Sequence, residues 1–316
     1  MTRGGEPYLL LTGPLFIGSL FNWSLLGTLV IQTYVYYSSR YNDSKWITGL
    51  VVATLSLDIV QTVFATHAIW QILILGWGNP ATFAELPWTA YTFPVMSGTV
   101  AALVQFFFSW RIWVLGRNKI AYIVAIVIDL VAVMQMVAGL VGGIQTAFIP
   151  IEKVGELKPQ FTVWLAGSFG ADVLIVVSML WILHQNKGGI AATNGLIDRL
   201  TVRVVHSGAV TAVAAGVELV LYILLSTTFV HDTPALFLGK LYSNVLLANL
   251  NTRRRTDNTY SSRFMTGSAN SSDHPMFTVH RRPGLHSTLE GSATQLQDTT
   301  GSAKGNSGFE SRKGGR

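Results

Sequence analysis

Residues 10–37 read LLTGPLFIGSLFNWSLLGTLVIQTYVYY, and no charged side chain occurs between Tyr8 and Ser39. About 20 apolar residues suffice to cross the roughly 30 Å hydrocarbon layer of a bilayer as a helix, so this stretch predicts a membrane span. It is too long for a signal-peptide core and no small-residue cleavage site follows it, so it reads as a retained signal anchor. Working outward, six further runs share its character, at about 46–75, 88–115, 120–149, 161–184, 203–229 and 235–252. Glycine and proline inside them (Pro94, Gly139, Gly142, Gly143) are compatible with helix in lipid, where the backbone has no competing solvent. Gly76-Trp77-Gly78-Asn79-Pro80, Gly116-Arg117-Asn118-Lys119 and Lys187-Gly188-Gly189 punctuate the connections.

Composition agrees. Hydrophobic residues make up 50% and charged residues 12% of the 316, where a soluble domain carries about 25% charged. Of the net charge of +6, the segment from Arg253 onward supplies +5, with ten basic and five acidic residues. The expected organisation is a short extracellular segment over 1–9, an all-α seven-transmembrane-helix bundle over 10–252, and a disordered basic tail over 253–316, rich in Ser, Thr and Gly. A soluble enzyme and a nucleic-acid-binding domain are excluded as defaults. The chain has no cysteine, which removes disulfides, thiolate metal sites and cysteine nucleophiles.

Lys and Arg near the span ends set the orientation. Eleven lie on one side (Arg40, Lys45, Arg111, Arg117, Lys119, Lys187, Arg199, Arg203, Arg253, Arg254, Arg255) and three on the other (Arg3, Lys153, Lys158). The amino terminus is expected outside and the tail in the cytoplasm. Two glycosylation sequons, at Asn42 and Asn270, fall on the predicted inner side, so sugar on either would invert the assignment. Arg253-Arg254-Arg255 reads as a stop-transfer signal and a candidate contact for anionic lipid. Trp46, Trp77, Trp88, Trp113 and Tyr41 cluster at span ends, where amphipathic rings anchor.

Several blocks occur together: Gln32-Thr33-Tyr34-Val35-Tyr36; Asp58 and His67 followed by Gly78-Asn79-Pro80; Gln105 through Trp113; Ala171-Asp172-Val173-Leu174-Ile175; Leu196-Ile197-Asp198-Arg199-Leu200; Ser207-Gly208; and Gly239-Lys240-Leu241-Tyr242-Ser243-Asn244 running on to Asn251. In their order and spacing, over about residues 15–253, they resemble the fungal, mainly mushroom-forming, family of seven-helix membrane proteins carrying domain of unknown function 6534. The resemblance implies an integral membrane protein and no established activity. Many relatives have histidine where Gln61 stands, and a more basic stretch where this chain has Asn186-Lys187-Gly188-Gly189.

Charge inside a span is costly, roughly 2.5–3.5 kcal/mol per residue at mid-bilayer on insertion scales, and often functional. The candidates are Asp58, Asp129, Asp172, Glu218 and Lys240, with His67 and His206 as weaker members. At about 1.5 Å rise per residue, Asp58 and Asp172 fall near the midplane, and the depths of Glu218 and Lys240 let them meet in the outer third. Asn244 and Asn251 share a helical face with Lys240. The functional expectation is a polar intramembrane pocket formed by Asp58, Asp172, Glu218, Lys240 and Asn244, open to a small-molecule ligand; the alternative is a network that only fixes helix packing.

His67 stands nine residues from Asp58, about 180° around a helix, and so belongs to no common site with it. Arg111 lacks the neighbouring acid of a receptor switch and reads as snorkelling to inner headgroups. Leu236, four before Lys240, is not the aspartate of a retinal site. His67 and His206 are too few for a zinc centre. No metal, cofactor or catalytic residue is expected, and no enzyme. By architecture a receptor-like or sensor protein is the leading function class, with a small-molecule or proton-linked transporter and a structural membrane-organising protein as alternatives. The plasma membrane is the expected location in preference to an internal one.

Overall fold

The computed structural model describes residues 6–39, 41, 43–79, 82, 85–116, 118–149, 151–185, 191–225 and 228–269. Asn42 and Asn270 of the two sequons, Arg3, Arg40, Arg117, Lys187 and the tail beyond 269 lie outside the described residues, as do the side chains of His206 and of Arg253, Arg254 and Arg255. Contacts divide the chain into Met1–Gly267 and Ser268–Arg316. The helical bundle belongs to the first unit.

Among the described residues every regular element is helical: α1 (Glu6–Ser38), α2 (Lys45–Trp70), α3 (Thr92–Gly116), α4 (Lys119–Phe148), α5 (Lys158–Gln185), α6 (Ala191–Leu224) and α7 (Asp232–Ala269). Each apolar run of the sequence lies within or nearly within one of them. Asn118 caps α4 by accepting from the Ala121 backbone N–H at 2.7 Å. α2 ends in a π turn, Gln71–Leu75, followed by Gly78 at φ 76°, a conformation that costs glycine little. Helix α7 does not stop at 252. The stretch 253–266 has neither Gly nor Pro, and adding residues to an existing helix carries no nucleation cost, so the first turns of the segment expected to be disordered are helical as far as Ala269.

The surface is turned inside out relative to a soluble bundle. On α4, Ile123, Leu130, Val137 and Ile144 are exposed, while Gln135 is fully buried. Side chains seven apart share a face, so this exposed stripe is apolar along its length and suited to acyl chains. Among the described residues five segments are long and apolar enough to cross a membrane: Leu9–Ser38, Lys45–Leu75, Trp88–Gly116, Lys119–Phe148 and Gly155–Gln185. Among the described residues of α6, Gly208–Leu224 form a shorter apolar helix. α7 holds Lys240, Ser243, Asn244 and Asn249 inward, all of them buried.

Neighbouring helices alternate in direction. Gly98 approaches Met136 as Gly143 approaches Tyr91 and Val95, so α3 and α4 run antiparallel. Gly142 faces Phe161 and Gly167 faces Gln135 across α4 and α5, and Gly208 faces Val176 and Gly216 faces Phe169 across α5 and α6, with the same sense. α1 and α7 run parallel, stitched at a constant offset: Thr233 Oγ1 donates to the Pro14 carbonyl (3.1 Å), Asn244 Nδ2 to that of Leu25 (3.0 Å) and Asn251 Nδ2 to that of Gln32 (2.8 Å). Small residues permit the closest contacts, as in membrane bundles generally. A methyl on Gly143 would sit 2.8 Å from Val95 Cγ2 and 2.9 Å from the Tyr91 carbonyl oxygen. The α2–α3, α4–α5 and α6–α7 connections therefore gather at one end of the bundle, with the start of α1.

Candidate ligand cavity and buried polar networks

That end holds a cavity of about 740 Å³. Its mouth carries the exposed Glu85, Gly155 and Lys158, and its inner wall the buried Ser97, Glu218 and Leu236. Aromatic rings form one side in a continuous run: Trp164 to Phe161 (6.3 Å between centroids), Phe161 to Tyr222 (6.2 Å) and Tyr222 to His231 (5.2 Å). Glu218 stands one helical turn before Tyr222 on α6. It is 2% exposed, and its Oε2 has no hydrogen-bond partner. Asp232, at the start of α7, acts electrostatically on both Glu218 and Tyr222. The His231 ring donates from Nδ1 to the Thr228 carbonyl (3.0 Å) and holds Nε2 3.7 Å from Asp232 Oδ1.

Below the cavity floor lies a chain of polar contacts. Ser97 Oγ accepts from Gln61 Nε2 (2.7 Å), and Gln61 Oε1 accepts from Lys240 Nζ (2.9 Å). Asp58 and Lys240 interact as charges, and Ser243 lies beside Asp58. Asp58, Lys240 and Ser243 are fully buried, yet neither Asp58 oxygen has a hydrogen-bond partner. Gly239 makes the approach of α7 possible: a methyl there would sit 3.1 Å from Gln61 Oε1 and 3.7 Å from Asp58 Oδ1.

A second network is centred on Asp172. Gln105 Nε2 donates to its Oδ1 (3.0 Å) and Tyr242 Oη to its Oδ2 (2.7 Å). Since the Tyr242 hydrogen is used there, Ser168 donates to the Tyr242 oxygen at 2.9 Å. Gln135 Nε2 donates to Gln105 Oε1 (3.2 Å). Helices α3, α5 and α7 thus meet on one carboxylate whose oxygens are both bonded, with α4 joined through Gln105 and Thr211 of α6 beside it.

The five residues expected to share a pocket are distributed over several places. Asp58 and Lys240 are together. Asp172 belongs to the second network, and Glu218 lines the cavity. Asn244 faces α1, where its Oδ1 accepts from Gln32 Nε2 at 3.2 Å. The expected meeting of Lys240 with Glu218 does not occur: depth along a helix fixes height but not azimuth, and Lys240 turns to α2 and α3. Asp129 is half-buried beside Ser109 on α4. His67 is exposed and pairs with Thr89 Oγ1 at 3.0 Å, on the face of α2 away from Asp58. Arg111 lies 5.9 Å from the Phe107 ring centroid. Among the described residues no three His, Asp or Glu side chains gather as a metal site.

Reasoning from charges missed the neutral partners Ser97, Gln105, Gln135, Ser168 and Tyr242, and treated Gln61 only as a departure from its relatives. Their signal in the sequence is the occurrence of hydrogen-bonding side chains within runs otherwise made of aliphatic residues, where lipid offers them no partner.

Residues 168–255 match a family of unknown function, DUF6534. The matched segment takes in Ser168, Asp172, Glu218, Lys240 and Tyr242 and leaves out Asp58, Gln61 and Gln105. No curated protein matches the chain, and no solved structure does. Apolar helices of spanning length together with this match make the chain a multi-pass integral membrane protein.

Proposed function

We propose that the chain crosses the membrane seven times with its amino terminus outside, and that it is a receptor-like or sensor protein of the plasma membrane whose small-molecule ligand enters the cavity. The Lys/Arg asymmetry puts the cavity end outside. One observation carries the reading. Ser97 lines the cavity and is joined through Gln61 to Lys240 and Asp58, so a ligand touching the floor acts on charges shared by α2, α3 and α7. Such charges have few alternative partners in a low-dielectric interior, which suits a two-state element. Arg253, Arg254 and Arg255, where the apolar part of α7 gives way to its polar part, are the proposed site for anionic lipid. The chain carries out no catalysis in this reading.

The test exploits the absence of native cysteine. A Ser97→Cys variant is expected to react with a small methanethiosulfonate reagent added outside intact cells. In purified protein the adduct is expected to alter hydrogen exchange at the inner ends of α3 and α7. Failure to react from outside, or reaction that leaves exchange unchanged, contradicts the proposal. A proton-linked transporter is the second reading, favoured by the unpartnered carboxylate oxygens of Asp58 beside Lys240. It requires pH-dependent flux in proteoliposomes. A purely structural role requires that neither adduct nor flux have any effect.

A further inference from the structure

We infer that the cavity takes an organic cation, a water-soluble ammonium compound with an aromatic or apolar body, and that Glu218 is its counter-ion. The inference rests on the reading of the cavity as a ligand site and names the chemistry of its ligand.

Among the described residues that line the cavity the acids outnumber the bases, with Glu85, Glu218 and Asp232 against Lys158 and His231. Position sharpens the imbalance. Lys158 is exposed at the mouth, where water screens it, whereas Glu218 is 2% exposed and lies against the inner wall. A buried acid with no cation beside it is driven to its neutral form, so a cation entering the inner cavity is what makes Glu218 a carboxylate, and the two then attract over a longer range than they would in water. Asp232 lies close enough to act electrostatically on Glu218. Two neighbouring acids do not readily ionise together, and a cation bound beside them relieves that repulsion. The buried Glu218 Oε2 has no hydrogen-bond partner in the protein, and an unsatisfied buried acceptor is costly. An ammonium donor at this wall would satisfy it.

The rings supply the remainder of the site. Trp164, Phe161 and Tyr222 form a connected aromatic wall that begins one turn from Glu218. Aromatic faces attract ammonium groups through the ring quadrupole, most strongly once the ion is desolvated. An anionic ligand would meet the same wall unfavourably. A small hydrated metal ion would leave the aromatic surface without a partner.

Three probes with one aromatic body separate the cases: phenethylamine (cation), 2-phenylethanol (neutral) and phenylacetate (anion), each measured by equilibrium binding to the full chain in nanodiscs. Phenethylamine is expected to bind at least about tenfold more tightly than 2-phenylethanol, and phenylacetate not to compete. Glu218→Gln is expected to remove that preference while leaving 2-phenylethanol binding unchanged, which also shows the variant to be folded. Asp232→Asn, away from the buried wall, is expected to weaken the amine by a smaller factor, about threefold. Equal binding of amine and alcohol overturns the inference. So does amine binding that survives both substitutions, and so does the absence of amine binding at concentrations on the order of 10 mM. If the alcohol or the anion binds instead and Ala90→Trp, which fills the cavity, abolishes it, the ligand-site reading stands and the cation inference alone falls. If no probe binds and Ser97→Cys is also unreactive from outside, both fall.

Discussion

Asp172 offers a quantitative test of how the bundle is held. Tyr242→Phe keeps the ring and deletes the hydroxyl that donates to Oδ2 at 2.7 Å; Gln105→Leu keeps nearly the same volume and deletes the amide that donates to Oδ1 at 3.0 Å. Hydrogen bonds to charged groups contribute about 1.5–3 kcal/mol in soluble proteins. Interhelical bonds within membranes average about 0.6 and reach about 1.7 kcal/mol. Each single substitution is therefore expected to lower unfolding free energy by about 1–2 kcal/mol. The double variant behaves differently. With either donor present the carboxylate keeps that bond, but with both gone it is left buried with only the Thr211 hydroxyl beside it, for whose hydrogen the Gly208 carbonyl competes at 3.0 Å. The double loss should exceed the sum of the singles by at least about 1 kcal/mol, well outside the roughly 0.5 kcal/mol within which independent sites add. Reversible unfolding in mixed micelles, run as a double-mutant cycle, measures it. Additive losses near 0.6 kcal/mol apiece would refute the idea that one shared carboxylate clasps the helices and would reduce the network to ordinary interhelical bonds.

Lys240→Met leaves Asp58 buried without its cation and is expected to cost about 3–5 kcal/mol; adding Asp58→Asn should recover much of the loss in the same unfolding assay. Gly143→Ala places a methyl 2.8 Å from Val95 Cγ2 and is expected to destabilise by about 1–3 kcal/mol. Gly27→Ala, which meets nothing within 4 Å, should leave the thermal midpoint unchanged. Asn244→Leu removes bonds to Leu25, Lys240 and Gln32, so amide exchange should quicken in α1 near Leu25 and Leu29 while α4 is unaffected.

Much of this architecture was legible in the sequence. The apolar runs located the helices to within a few residues at most ends, because lipid demands length and composition together. The exceptions are the start of α6, at Ala191 where the apolar run begins near 203, and the end of α7, at Ala269 where the run stops at 252. There the added turns are polar and carry no hydropathy signal. Asp58 and Asp172 were also legible as charges within apolar runs. Their partners were not, since the order of helices around the bundle is set by packing of small residues such as Gly139 and Gly239, which no single-helix pattern encodes. Lys240 was therefore expected near Glu218 but turns to Gln61. The cavity was invisible for a related reason: Tyr91, Phe161, Tyr222 and Phe229 come from four separate segments and meet only where three connections gather.

The central claim is that seven helices cross the bilayer and leave the cavity end facing out. Single cysteines at Gly155, Thr228, Ser39, Asn118 and Ser262, introduced into the cysteine-free chain, can be labelled with a membrane-impermeant maleimide in intact and permeabilised cells. The account predicts labelling of Gly155→Cys and Thr228→Cys from outside, and of Ser39→Cys, Asn118→Cys and Ser262→Cys only after permeabilisation. Labelling of Thr228→Cys and Ser262→Cys from the same side, or of Asn118→Cys in intact cells, would contradict it.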